Sequence, residues 1–339
     1  MKTIDLENHF ITQEWVEALL ANPGYPRLTH DEASDAWRLY YQADAFEPFG
    51  VRPRLLDLGA GRLAAMDAAG VDFAVLSLTA PGCEQLDASV GPTVARAAND
   101  TLAAAVAAHP DRFAGYAALY PKDVDGAAAE LERCVKELGF KGWKTHSNFG
   151  DSFLDERRYW PVLAKAEELG VPVYLHPAAP MIPELRTYGL ALAGAAFGFG
   201  IETATAMVRL ILSGALDEFP RLQVILGHYG EALPFSLQRI DHPFVRPYIK
   251  ADGAAVPDLA HPPSYYLLHN VWVSTSGNYL PAAFTCTREA LGLERIVLGT
   301  DHPYEDMDEC MGFLSGLPLT PDERDKVYRT NAAALGLAL

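Results

Sequence analysis

The sequence predicts an α/β fold, a (β/α)8 TIM barrel, on three observations. Eight short apolar runs alternate with amphipathic segments along the 339 residues, the pattern of repeated β-then-α units. Several amphipathic segments end in glycine just before the next run, as in "ELGF", "ELGV" and "ALGLERI", where a left-handed residue stops a helix. Polar side chains also gather at the C-terminal ends of the runs, the face on which barrels build their active sites. A doubly wound sheet is the runner-up, but it needs neither eight strands nor polar groups at so many strand ends.

The first run is "IDLENHF", Ile4–Phe10. The others are "VDFAVLSLT" (71–79), "FAGYAALY" (113–120), "FKGWKTH" (140–146), "VPVYLH" (171–176), "LQVILGH" (222–228), "VWVSTSG" (271–277) and "RIVLGTD" (295–301). Helical spacing of apolar residues falls at 63–69, 93–108, 126–138, 156–169, 202–219, 232–240 and 282–291. A last helix follows "TPDE", with Thr320 as N-cap, proline next and acids in the first turn. Long loops follow strands one and five, at 11–61 and 177–200. The first carries Trp15, Tyr25, Trp37, Tyr40, Tyr41, Phe46 and Phe49. Loops of this length serve as lids or as packing surfaces for a partner subunit. No repeat, linker or low-complexity segment divides the chain, so residues 1–339 are expected to form a single domain.

A formal charge of −17 argues against nucleic acid or an anionic membrane as a general partner. The longest apolar stretch, near 189–201, is too short to span a bilayer. Cys83, Cys134, Cys286 and Cys310 are scattered, with no CxxC pair, as in reduced cytoplasmic proteins. The N-terminus has no signal-peptide pattern. A cytoplasmic location is expected.

Side chains two apart on a strand share a face, so Glu7 and His9 project together. His176 ends strand five, His228 ends strand six and Asp301 ends strand eight, which neighbours strand one if the barrel closes. Five groups with oxygen or nitrogen ligand atoms thus converge on one mouth. Two histidines and two carboxylates suit one divalent cation, Mn²⁺ or Zn²⁺, with positions left open. Glu7 is the hardest to assign a bland role, because an inward carboxylate is costly unless paired or metal-bound. His146 ends strand four and shares its face with Lys144. A carboxylated, metal-bridging Lys144 is one reading; a structural or substrate-binding role is favoured. His30, His109, His242, His261, His269 and His302 lie in loops or beside prolines and are expected at the surface. Aromatics near the first loop, Phe10 and Trp15, are expected to wall the bound substrate and exclude water.

The segments "LENHF", "RLAAMDAAGVDFAVLSLTAPG", "FGIETATAMVRLILSGALDEFPRLQVILGHYGEALPFSLQRIDH", "STSGNY", "GTDHPYE" and "NAAALGL" resemble the amidohydrolase-superfamily (amidohydrolase 2) decarboxylases. These act on γ-resorcylate (2,6-dihydroxybenzoate), 2,3-dihydroxybenzoate or 5-carboxyvanillate, and are related to aminocarboxymuconate semialdehyde decarboxylase. The resemblance implies metal ligation by Glu7, His9, His176 and Asp301. It implies a His228–Glu231 dyad near the substrate, and Arg239 as the contact for the substrate carboxylate. It also implies a homodimer or homotetramer. The chain departs from the pattern at Asn8 between Glu7 and His9, at Ala206 where many relatives have histidine, and at His302 where an aromatic residue is usual.

The implied reaction is metal-dependent, non-oxidative decarboxylation of a hydroxybenzoate-type acid (2,6- or 2,3-dihydroxybenzoate-like), by ring protonation followed by loss of CO₂. Asp301 is the first choice of proton donor, with His228 and Glu231 in support. No organic cofactor is required. The alternatives are a metal-dependent hydrolase of lactonase type, in which Asp301 acts as general base, a hydratase of a ring-cleavage product, and a barrel that binds without turnover.

Overall fold

Each of the eight apolar runs contains a parallel strand, and three further strands lie in the first long connection. The computed structural model describes residues 2–246 and 257–337. In chain order the strands are β1 (Ile4–Phe10), β2 (Arg27–Asp31), β3 (Ala36–Gln42), β4 (Ala45–Pro48), β5 (Phe73–Leu78), β6 (Phe113–Gly115), β7 (Trp143–His146), β8 (Val173–His176), β9 (Val224–Leu226), β10 (Val271–Ser274) and β11 (Ile296–Val297). One parallel sheet has the order β1-β5-β6 and a second β7-β8-β9-β10-β11. Backbone bonds also run between the sheets. Ala117 N donates to Gly142 O at 2.8 Å and Lys144 N to Ala117 O at 3.1 Å. At the other edge Leu6 N meets Leu298 O at 2.9 Å and His9 N meets His302 O at 2.7 Å.

β1 and β5 are buried along their whole length, as parallel strands covered on both faces are. Ile4, Leu6, Phe73, Val75, Ala114, Tyr116, Tyr174, Ile225, Trp272 and Val297 pack together in a cluster separate from the larger core. The register of β1 shifts between Asp5 and Asn8: Asp5 pairs with Ala74, but Asn8 pairs with Leu76. This extra residue is a β-bulge, which re-aims the side chains that follow it. Ile4 and Leu6 can therefore join the inner cluster while Glu7 and His9, of opposite parity, still turn to the site. Asp5 braces the bulge. Its carboxylate accepts from Glu7 N (3.0 Å), Asn8 Nδ2 (2.9 Å), Thr300 N (3.0 Å) and Thr300 Oγ1 (2.7 Å).

The first long connection is folded rather than open. A helix at Gln13–Ala21, capped by Thr12, leads into an antiparallel β2-β3-β4 meander and a short helix at Arg52–Leu56. The helix expected over 202–219 is two pieces, Gly198–Leu212 and Ala215–Glu218, broken where Gly214 takes φ 81°. That expected over 232–240 shrinks to Leu233–Ser236, because the chain before it winds left-handed. Thr320 caps the last helix as expected, in a capping box with Glu323. The four cysteines are free thiols. Among the described residues no helix is long and apolar enough to cross a membrane.

Candidate metal centre

Glu7, His9, His176 and Asp301 each offer a ligand atom, and these atoms lie within 4.8 Å of one another. His9 Nε2 sits 2.7 Å from Asp301 Oδ1, and His176 Nε2 sits 3.7 Å from Glu7 Oε1. Two of these atoms are buried without any hydrogen-bond partner: Glu7 Oε1 and His176 Nε2. A bare buried carboxylate oxygen facing a bare imidazole nitrogen is costly unless something binds both. His176 Nδ1 lies 3.1 Å from the Pro177 carbonyl, so it carries the proton and Nε2 keeps its lone pair. Burial and the neighbouring cations hold its pKa well below the usual histidine range. A neutral imidazole and two carboxylates are the donors that a divalent cation needs.

Residues behind these four side chains fix them. Ser274 Oγ donates to Glu7 Oε2 at 2.5 Å and bonds Ser276 Oγ at 2.9 Å. His9 Nδ1 faces Ser77 Oγ at 3.3 Å and Lys144 Nζ at 3.2 Å. Lys144 also donates to Leu78 O at 2.8 Å, and burial lowers its pKa to about 7. Its amine thus stands behind His9. His146, which strand-end position had brought toward the mouth, is buried with Nδ1 2.9 Å from Glu84 Oε1, and is not part of the cavity wall. Gly299 permits the close packing here: a Cβ on it would come within 3.0 Å of the Glu7 and Ser274 side chains.

His228 and Glu231 project from a run of left-handed backbone. His228, Tyr229, Gly230, Glu231 and Ala232 have φ of 52°, 57°, 78°, 55° and 61°. This single reversed turn brings His228 Nδ1 to 2.7 Å from Glu231 Oε1. His228 Nε2 then lies 3.7 Å from Glu7 Oε1 and 3.9 Å from Asp301 Oδ2. Burial opposes the imidazolium, but the charges of Glu231 and Glu7 outweigh it and raise the His228 pKa well above its usual value. Asp301, itself at φ 58°, shows the converse. Burial works against its charge, and the His228 and His9 contacts overcome it and hold the carboxyl well below the usual range. The proton shared by this group therefore rests on His228.

A cavity of about 580 Å³ opens beside the cluster, lined by His176, His228, Glu231 and Asp301 together with Tyr41, Glu47, Phe197, Phe199, Tyr304 and Glu305. Phe10 and Trp15 are not at its wall. Phe10 lies on the strand face opposite His9 and is buried in the core. Trp15 is buried beside Phe49, and its indole donates to Gly82 O at 2.8 Å. The aromatic wall comes instead from β3 and from 197–199 and 304. Arg239 is exposed in the turn after Leu233–Ser236 and is not among the residues lining the cavity. His302, expected at the surface, is buried at 6 % exposure because its backbone joins β1. Sequence reasoning also missed Ser274, Glu84 and Glu47. A serine inside the apolar "VWVS" was a signal for the first; nothing local marked the other two.

A family model described as amidohydrolase matches residues 4–335. The chain is 38 % identical over 299 residues to the γ-resorcylate decarboxylase of Rhizobium sp. (strain MTP-10005), covering 83 % of this chain and 88 % of that one. Its fold is similar to the crystal structure of 5-carboxyvanillate decarboxylase from Sphingomonas paucimobilis, with a TM-score of 0.87 and 37 % identity over 98 % of each chain. It is similar also to the dihydroxybenzoic acid decarboxylase of Polaromonas sp. JS666, solved with manganese and the inhibitor 2-nitroresorcinol. There the TM-score is 0.83 and the identity 34 %, over 98 % of this chain and 96 % of that one.

Proposed function

The chain belongs to the amidohydrolase family whose model spans residues 4–335, and we propose that it is a metal-dependent, non-oxidative decarboxylase of hydroxybenzoate-type aromatic acids. The observation that carries this reading is the pair of bare buried ligand atoms, Glu7 Oε1 and His176 Nε2, at the edge of a cavity that also holds the His228–Glu231 pair. The named activities of the relatives, at more than a third identity, support the reaction. The two parallel sheets are read as one closed (β/α)8 barrel forming a single domain, supported by the backbone bonds at both edges.

Glu7, His9, His176 and Asp301 would hold the cation, with manganese favoured by the Polaromonas relative. It would supply Lewis-acid charge stabilisation beside the substrate's oxygen atoms. The chain's own residues do the proton chemistry. Direct loss of CO₂ from an aromatic ring would leave an aryl anion, so the carbon bearing the carboxylate is protonated first. His228, whose Nε2 is 3.9 Å from Asp301 Oδ2, passes its proton to Asp301, which delivers it to that carbon. Glu231 keeps His228 oriented and charged. The carbon–carbon bond then breaks, its electron pair restores aromaticity, and CO₂ leaves. Tyr41, Phe199 and Tyr304 flank the ring and limit water. The protein is read as a cytoplasmic homodimer or homotetramer, supported by its free thiols and by exposed Tyr188, Phe235 and Val245.

The test is metal analysis followed by a panel of hydroxybenzoates, scoring CO₂ release against turnover of lactones, esters and ring-cleavage products. Release of CO₂ from hydroxybenzoates alone is expected. Turnover confined to the other classes overturns the reading.

A further inference from the structure

The cavity presents carboxyl groups where an aromatic acid would be expected to meet cations. Glu47, on β4, and Glu305 both line it, and among the described residues no lysine or arginine does. Tyr41 is buried, and its hydroxyl donates to Glu47 Oε1 at 2.9 Å. Glu47 Oε2 has no hydrogen-bond partner among the described residues, and Glu47 lines the cavity. Tyr304 lines the same cavity as Glu47 and stands beside the ligand cluster. Its ring stands edge-on to His9 with centroids 5.8 Å apart, its hydroxyl accepts from Thr79 at 2.9 Å, and the Glu47 charge bears on it. Glu47 thus lines the same cavity as His176 and Asp301 without belonging to the clustered ligand groups. Burial raises its pKa against the pull of the Tyr41 bond.

We propose that Glu47 is a specificity-determining residue, which accepts a hydrogen bond from a hydroxyl on the part of the ring remote from the metal ligands and excludes a second carboxylate there. The class of ligand rests on the decarboxylase reading above. A partly buried carboxylate with a free oxygen rewards a donor and penalises an anion, since no lysine or arginine among the described residues lines the cavity to compensate. A hydrogen bond to a charged group is worth about ten- to a hundredfold in affinity.

Nitro analogues cannot lose CO₂, so they report binding without turnover. Calorimetric titration of the manganese-loaded protein would use 2-nitrophenol, 4-nitroresorcinol, 2-nitrohydroquinone and 4-hydroxy-3-nitrobenzoate. The wild type is expected to bind one of the two dihydroxy analogues at least about tenfold more tightly than 2-nitrophenol, and the benzoate more weakly. In Glu47→Gln the first ratio should fall to within about threefold, and the benzoate should gain about tenfold relative to 2-nitrophenol. Ratios that stay within about twofold of the wild type, or no binding of any analogue, overturn the assignment. CO₂ release from the matching hydroxybenzoates, measured in parallel, decides the decarboxylase reading separately.

Discussion

Ser274 holds Glu7 by one oxygen and leaves the other bare: its hydroxyl donates to Oε2 at 2.5 Å, while Oε1 is buried without a partner. The serine therefore decides which carboxylate oxygen faces the site. Ser274→Ala is expected to weaken manganese binding about 10- to 100-fold, read by competition with a chelator. An unchanged affinity would remove Ser274 from the account.

Glu231 makes His228 a cation. Glu231→Gln removes the charge that outweighs burial, so the His228 pKa should drop toward or below its ordinary value. The imidazolium would then exist only at lower pH, and the upper limb of the rate profile should move to lower pH. Histidine-selective NMR titration reads the shift directly. An unmoved resonance would contradict the pairing.

Asp301→Asn keeps the size of the side chain but can neither carry the proton nor bind a cation as an anion. The value of kcat should fall about 100- to 10,000-fold, with metal content measured in the same samples. Retention of more than a tenth of the activity would remove Asp301 as the donor.

Asp5 gives a stability signature with a definite sign. Burial raises its carboxyl to about 6 from 3.8, against the pull of its hydrogen bonds. Between those values the folded chain binds more protons than the unfolded one. The Asp5 contribution is therefore fully present below about pH 4 and lost as pH rises through about 6, by up to about 3 kcal/mol. Urea denaturation at several pH values should show wild type losing more stability across this window than Asp5→Asn, which has no such ionisation. An equal slope would refute the assignment.

The strands and their polar ends were legible because burial on both faces leaves continuous apolar runs, and a charged residue closing such a run is conspicuous. His176, His228 and Asp301 stood out in this way. The bulge in β1 did not, because a shift in pairing depends on the partner strand and leaves no mark in "IDLENHF". The same limit explains Phe10, whose face is set by sheet packing, and Trp15, whose helix turns it into the core. The β2-β3-β4 meander was hidden because its strands are only partly buried and break the alternation that marks a strand. The helix expected through 232–240 was overlong because the left-handed backbone ahead of it was not foreseen.

That reversed turn bears on how heat-resistant the protein can become. Four of its five residues carry a Cβ in a conformation that disfavours side chains by about 1–2 kcal/mol each. Ala232→Gly should raise the unfolding free energy by about 0.5–1 kcal/mol, seen as a higher melting temperature, while slackening the grip on His228 and slowing turnover. A variant that gained on both counts would mean the unusual winding is incidental to catalysis; a gain on one and loss on the other would mean this family member gives up thermal tolerance for a rigid imidazole.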